Sequence, residues 1–422
     1  MLDSPHEART RGALGRERYY ARMNDILAVL ATARVINAAG TVTRYGASRM
    51  DPRVLAAMTT AAHWSVDMAS LQARASELIA AATGAEAGIV TSGAMAGLLV
   101  GAAACMTGLD PVKMARLPDT SGMRDQFIVS RSHRNSYDHG VRAAGAQLVD
   151  VGLPDRITGC GVRDTEVWEY ASLIGERTAG VLYLARADAR PDLAELTRVA
   201  HAAGIPVLVD AAAELPPARN LRHFIDQGAD LVVFSGGKSI GGPSASGILC
   251  GRRELIGAAL LQQLDLDFVY DEWDPPGELI DKRALRGVPR HGIGRACKVG
   301  KEQIAGLLTA LELFTSEGDA ARNRRWAEIV DALVTASAGL TGLLVRRVDD
   351  PAHGDFPLVE VRPAGATPAH SARALAARLR DGKPSIQVDG TSADAGLLVL
   401  APTCLTAEDV PVIAAALAAA LA

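Results

Sequence analysis

Aromatic residues are scarce in this chain, 4% of 422 residues, whereas hydrophobic residues reach 49%. A core must therefore be built from Ala, Val, Leu and Ile, and there is enough apolar mass for one large domain or two moderate ones. Cysteine is scarcer still. Cys105, Cys160, Cys250, Cys297 and Cys404 are odd in number and scattered, and none forms a Cys-x-x-Cys pair. That argues against a disulfide framework or a structural zinc, leaves no metal site to expect, and favours a reducing, cytoplasmic compartment. A surplus of one charge is also missing. The 44 basic and 48 acidic residues leave a net charge of -4, which suits neither a nucleic-acid partner nor an anionic membrane surface. No apolar run reaches the ~18 residues of a membrane span. The opening MLDSPHEARTRGALGRERYY is charged and lacks the apolar centre of a signal peptide. The expectation is a soluble protein with no nucleic-acid or membrane partner.

What the chain does have is alternation. Between about residues 50 and 290, helical patterns alternate with the short apolar runs EAGIVTSG, FIVSRS, AQLVDVG, GVLYLA, IPVLVDA, DLVVFSGG and SGILCGR. Continuous apolar runs between helices predict an α/β fold with a mainly parallel sheet covered on both faces. In such sheets ligands bind at the carboxyl ends of the strands. Residues 267–295 are polar and rich in proline and glycine, and read as a crossover segment. A long amphipathic helix is expected over about 296–316. Beyond it come strands, two helices and a capping-box-like Thr406-to-Asp409 start to the last helix. The expected organisation is an N-terminal helical segment over 1–40, a large domain over 41–295 and a smaller α+β domain over 296–422.

Residues 232–247 read VVFSGGKSIGGPSASG. Lys238 has three readings there: the tail of a phosphate-binding P-loop, a lysine that forms an imine with a carbonyl cofactor, or a charge on a surface turn. The P-loop needs a glycine five positions before Gly237, and Val232 stands there, inside the apolar run. Against a bland surface turn stand Gly236, Gly237, Gly241 and Gly242, which let backbone approach a ligand closely.

The imine reading calls for companions. A buried acid at an earlier strand end would keep a pyridine nitrogen protonated. Asp210 in VLVDAAAELPP takes that place, and the alanines after it leave room for a flat ring. A phosphate would bind where a strand meets a helix, on free N–H groups and the helix dipole. IVTSGAMAGLLVGAAA supplies Thr91, Ser92, Gly93, Ala94 and Met95 for this, and Ser235 adds a hydroxyl just before the lysine. A ring-stacking residue is offered by SRSHRNSYDHG, which contains His133, Tyr137 and His139, with His133 as the candidate. Singly, each has a plain structural alternative: Asp210 and Ser92–Gly93 as helix caps, His133 as a structural histidine. The order along the chain gives the set its meaning.

That order resembles the fold-type I pyridoxal-phosphate enzymes. More narrowly, the chain resembles the selenocysteine synthase-like family, especially its branch of D-glucosaminate-6-phosphate ammonia lyase-like proteins. The matching segments are INAAGTVTRYGAS, ATGAEAGIVTSGAMAGL, SRSHRNSYDHGVRAAGA, VLVDAAAELPP, DLVVFSGGKSIGGPSASGIL and IGRACKVGKE, between residues 36 and 302. The resemblance implies pyridoxal 5'-phosphate linked to Lys238, Asp210 on its ring nitrogen, His133 stacked on the ring, and Ser92, Gly93, Ala94 and Ser235 on its phosphate. Arg295, Lys298 and Lys301 would hold a substrate carboxylate or a phosphate, or else form a solvated face. The chain also departs from the family. No tRNA-binding domain precedes the core, which argues against chemistry on seryl-tRNA. Some members carry an arginine near the end of the small domain, but none lies between Arg380 and the C-terminus here. Arg44 and Arg362 are the candidate replacements.

What the resemblance implies is an enzyme of amino-acid metabolism. It would act on a small amino acid or amino sugar acid through an external aldimine and Cα deprotonation, with α,β-elimination, a lyase reaction, favoured. The same residues would serve an amino-acid racemase, an epimerase or an aldolase, or a protein that binds the cofactor without turnover. A homo-oligomer, dimer or higher, is implied, because sites of this fold are commonly completed by a neighbouring subunit.

Overall fold

The computed structural model describes residues 30, 32–153, 165–287, 289–364 and 371–421. Strand β1 (Val35–Ala38) comes first. The seven apolar runs then form β2 (Ala87–Thr91), β3 (Gln126–Ser130), β4 (Gln147–Val151), β5 (Thr178–Leu184), β6 (Val207–Asp210), β7 (Leu231–Ser235) and β8 (Gly247–Gly251). They make one sheet in the order β2-β8-β7-β6-β5-β3-β4. Strands β3 to β7 pair in parallel, and β8 is antiparallel to both its neighbours.

The runs are continuous because both faces of the sheet are buried. Val232 and Phe234 enter the core on one face with Ile79, Leu307 and Phe314. Leu231 and Val233 enter the core on the other with Leu98, Leu249 and Ile256. The edge strand β4 shows the contrast, for its Gln147 and Asp150 are exposed. At the opposite edge the backbone of β2 is satisfied by a helix. Gln72 of helix Met68–Thr83 donates to Val90 O (2.8 Å) and accepts from Val90 N (2.9 Å), and Ser76 accepts from Gly88 N (3.0 Å). An otherwise open strand edge is thereby closed. Helix Ala94–Thr107 lies directly on the sheet, with Gly97 against Val233 and Gly101 against Leu208.

The chain divides into a larger unit, 41–327 with 349–357, and a smaller one, 1–40 with 328–348 and 358–422. The smaller unit contains β9 (Leu343–Asp350) up to its last two residues, most of β10 (Phe356–Pro363), β11 (Ser385–Val388) and β12 (Leu398–Leu400). A three-stranded sheet has the order β12-β10-β9, and β1 pairs in parallel with β11. These divisions differ from the expected ones in two ways. Residues 35–38 are a strand of the smaller unit rather than part of a helical segment, because Ile36 and Ala38 join its core; residues 1–29 and 31 of that segment lie outside the described residues. The boundary does not fall at 295. The expected helix starts at Lys301 and runs to Ser337, interrupted at Gly318 (φ 72°, ψ 161°). Its first half carries Ile304, Leu307, Leu311 and Phe314 into the larger core, and its second carries Val330 and Leu333 into the smaller. Residues Ile293–Cys297 instead form a tight 3-10 turn, held by Ile293 N on Gln262 Oε1 (3.2 Å). The capping box at Thr406 is realised from one side: Asp409 accepts from both Thr406 N and Thr406 Oγ1, at 2.8 and 2.9 Å.

The interruption at Gly318 is clamped. Asp319 accepts Ala218 N on both oxygens (3.0 Å each) and Arg322 Nη1 (2.7 Å). The Arg322 side chain is buried over the Phe314 ring, 3.7 Å from its centroid. Asp319→Ala would strip the buried guanidinium of this partner and free the loop at Ala218. The expected loss is about 3 kcal/mol, read as a lowered urea midpoint.

Candidate active site

Lys238 lies in the turn after β7. The turn closes through Gly241 N on Lys238 O (2.9 Å) and is held from two sides. Ser48 donates N–H and Oγ–H to Gly237 O (3.0 and 2.9 Å), and Ser239 Oγ donates to Leu215 O (2.6 Å). The backbone is fixed, yet the half-buried Lys238 amine has no hydrogen bond or ion pair among the described residues. Burial lowers its pKa, and the charges of Asp210 and then Glu214 pull it back up.

Asp210 ends β6, in register with Leu184 of β5 and Val233 of β7. It is buried and accepts from Ala212 N (3.1 Å). Burial raises its pKa, partly offset by that N–H and by Lys238. His133 is buried in the turn after β3. Its Nδ1 accepts from Leu184 N (3.4 Å), and its ring meets Tyr183 edge-on at 4.7 Å. Strand order thus places His133, after β3, two strands from Asp210 with β5 between them, and Asp210 on the strand next to the one that leads to Lys238.

The helix start is placed by β8. Ser235 and Thr91 both face Gly247 in the sheet. A Cβ on Gly247 would stand 2.6 Å from the Gly93 carbonyl carbon and 2.7 Å from Ala94 N. Only glycine lets the helix start settle on the sheet beside Ser235. Gly93 has φ 106° and caps helix Ala94–Thr107 without a side-chain bond. The N–H groups of Ala94, Met95 and Ala96 have no acceptor among the described residues, and neither does the Ser235 hydroxyl. This is a donor set suited to an anion. Ser92, by contrast, already donates to Cys297 O (2.7 Å).

Gly236 and Gly237, next to the lysine, have another reason than the expected one. A Cβ on Gly236 would meet Ser246 Oγ at 2.3 Å, and one on Gly237 would meet Ser244 Cα at 2.6 Å. They pack protein against protein. The basic trio also separates: Arg295 is in the 3-10 turn, Lys298 is extended and exposed, and Lys301 opens the helix beside Glu302. The three do not share a helical face. Arg295 binds Asp265 (2.7 Å). Arg44 is exposed over the Tyr45 ring, in the segment that ends at Ser48, and makes no ion pair among the described residues. Arg362 belongs to the smaller unit, on β10, 3.9 Å from Glu360.

Sequence reasoning passed over Ser48, Ser239, Gly247 and Glu214. Glu214 carried a readable signal: an acid four residues past Asp210, kept in a loop by the prolines that follow. It is half-buried. Burial raises its carboxyl pKa, His353 lowers it, Asp210 raises it, and Lys238 and Arg186 lower it.

A family model described as L-seryl-tRNA selenium transferase matches residues 137–268. The chain is 31% identical to a Streptomyces 5'-C-glycyluridine monooxygenase-decarboxylase, over 90% of this chain and 88% of that protein. It is 28% identical to the D-glucosaminate-6-phosphate ammonia lyase of Salmonella typhimurium, over 93% of this chain and 97% of that one. A solved structure of a D-glucosaminate-6-phosphate ammonia-lyase superposes with a TM-score of 0.76, at 28% identity, covering 94% of this chain and 97% of that one. No described helix is long and apolar enough to cross a membrane.

Gly247→Ala is expected to lift the helix start off the sheet. Overpacking of this kind costs about 2 kcal/mol, measurable as a drop in melting temperature, whereas Gly204→Ala, which meets nothing within 4 Å although φ is +69°, tests backbone strain alone.

Proposed function

This chain belongs to the selenocysteine synthase-like family of fold-type I pyridoxal-phosphate enzymes, and from that premise we propose that it removes the Cα proton of an amino acid or amino sugar acid and eliminates a group from the neighbouring carbon. Pyridoxal 5'-phosphate is its cofactor, and its chemistry is of the lyase type. The observation that carries the reading is the Lys238 amine, half-buried and without a hydrogen bond or ion pair among the described residues, beside the buried Asp210.

The residues present suit the group. An unengaged amine, a buried carboxylate and an uncapped helix start match an aldehyde, a pyridine nitrogen and a phosphate in turn. Lys238 would hold the cofactor covalently. Asp210 would pair with the ring nitrogen, and the cation there would oppose the effect of burial on its carboxyl. Ala94, its two neighbours and Ser235 would donate to the phosphate. Ser92 would join them by giving up the Cys297 carbonyl. His133 would lie against the ring. Bound there, the cofactor supplies a sink for the electron pair left when the Cα–H bond breaks. Lys238, displaced by the substrate amine, would take that proton, and burial favours the neutral amine this requires. Arg44 is the favoured anchor for a substrate anion, since it makes no ion pair among the described residues and its segment is tied to Gly237. Arg295 would first have to leave Asp265.

The relative described as a monooxygenase-decarboxylase supports a second reading, in which a different bond at the same carbon is broken. Carbon dioxide release and oxygen uptake distinguish it from ammonia release. A cytoplasmic enzyme of at least two subunits completes the proposal, and sedimentation as a monomer at micromolar concentration would count against the assembly.

Borohydride should trap the cofactor on Lys238, and Lys238→Ala should abolish the adduct; trapping on another lysine overturns the assignment. Asp210→Asn should retain some cofactor and lose most turnover of whichever amino acid a screen of D- and L-isomers identifies. Full activity would remove Asp210 from the ring nitrogen.

A further inference from the structure

Glu214 has no task in the reading above, yet its surroundings are built. It lies on the loop between β6 and helix Asn220–Asp226. Its N–H donates to Ala211 O (3.2 Å), and its carbonyl accepts from Asn220 Nδ2 (2.7 Å). The next residue, Leu215, accepts the 2.6 Å bond from Ser239, the residue after Lys238. One short bond therefore joins the neighbour of Glu214 to the neighbour of Lys238.

The backbone is held but the carboxylate is not. Half-buried, it makes no hydrogen bond or ion pair among the described residues. Buried acids elsewhere in the larger unit are paired: Asp125 with Arg177, Asp138 with Arg134, Asp230 with Arg252. The charged groups that act on Glu214 come from four segments. They are Asp210 at the end of β6, Lys238 after β7, Arg186 after β5, and His353 in the turn Pro351–His353. His353 is itself held by Asp350 (Nδ1 to Oδ2, 2.7 Å). Its turn is seated by Gly354 packed on Pro217 and by Asn323 Nδ2 on Gly354 O (2.8 Å).

We propose that Glu214 is the second proton-carrying group of this site, the acid that protonates the group leaving the substrate's β-carbon. The inference rests on the reading in which Lys238 removes the Cα proton. A lysine and a glutamate withdrawn together from water both favour their neutral forms, one as a base and the other as an acid. In the elimination the Lys238 amine gains the Cα proton. The pair of that C–H bond becomes the second Cα–Cβ bond, and the β C–O bond breaks. The departing oxygen takes the Glu214 proton and leaves as water. Lys238 is one proton richer and Glu214 one poorer, so transfer back between them, directly or through water, restores both. A hydroxyl needs such an acid because hydroxide is a poor leaving group; a halide does not.

The test uses the cofactor-loaded enzyme and its Glu214→Gln and Glu214→Asp variants. The first readout is the pH titration of the bound cofactor's visible absorption. As the pH rises Glu214 gives up its proton, and the carboxylate formed then holds the proton on the Lys238 nitrogen; Glu214→Gln never gains that charge and should titrate at lower pH, whereas Glu214→Asp should titrate nearly in place. The second is turnover of serine against β-chloroalanine, each in both hands. Glu214→Gln should lose serine turnover about 100-fold or more, the scale of general acid catalysis, and keep most of its β-chloroalanine turnover. An unmoved titration overturns the proposal, as does an equal loss on both substrates. Failure of the underlying reading looks different: borohydride then traps nothing on Lys238 in the unaltered enzyme, whatever the variants do.

Discussion

A lysine and two carboxylates are drawn away from water at the carboxyl ends of neighbouring strands, and none of the three is joined to another by a direct ion pair among the described residues. Withdrawing charge from water without pairing it is costly. Much of the larger unit can be understood as what makes the arrangement sustainable. The sheet buried on both faces supplies the low dielectric. The loops that carry the charges are pinned from several sides: Ser48 on Gly237, Ser239 on Leu215, Asn220 on Glu214, Asp319 on Ala218. Without these bonds the loops would relax outward and rehydrate the charges. The kink at Gly318 belongs to the same system, since Asp319 reaches Ala218 only where the helix is interrupted.

The helix-start end of the site is set by a different device, the reversal of β8. With β8 antiparallel between β2 and β7, Thr91, Gly247 and Ser235 come into one row. The absent side chain of Gly247 lets the first turn of helix Ala94–Thr107 rest on that row. The distance between the lysine turn and the helix start is thus a matter of sheet register, which cannot drift without turning buried side chains to the wrong face. That rigidity suits a ligand that must be gripped at two ends.

How much of this the sequence disclosed follows the physics. Strands buried on both faces must be apolar without interruption, so the inner runs were legible on that ground, and the edge strand β4 was legible from a shorter apolar stretch interrupted by Asp150. Asp210, His133, Ser235, Gly93 and Lys238 were legible as strand-end residues in a telling order. What was hidden was what depends on tertiary partners. Nothing local shows that Gly236 and Gly237 pack against Ser246 and Ser244 instead of facing a ligand. Helical spacing put Arg295, Lys298 and Lys301 on one face, but Gln262, far away in sequence, holds the stretch as a 3-10 turn. Ile36 and Ala38 join a core contributed by residues more than 290 positions further along the chain. Glu214 was visible as a letter and invisible as an acid, because its surroundings come from the loops after β5, β6 and β7 and from the turn at His353.

Function and stability separate along one line here, between what is fixed and what is left unengaged. The protein bonds the backbone around Lys238, Glu214 and the start of the helix while leaving the amine, the carboxylate, the Ser235 hydroxyl and the first N–H groups without partners among the described residues. Buried acids whose work is structural, such as Asp125 and Asp230, are paired with arginines. Ser92 sits between the two kinds, placed at the helix start but spent on Cys297. A set of held but unsatisfied groups is a store of unfavourable desolvation, and a ligand that satisfies several of them at once returns that free energy as binding. By linkage, a ligand that binds the folded state alone stabilises it, so the fold around this site gains most from the molecule whose chemistry it is arranged to direct.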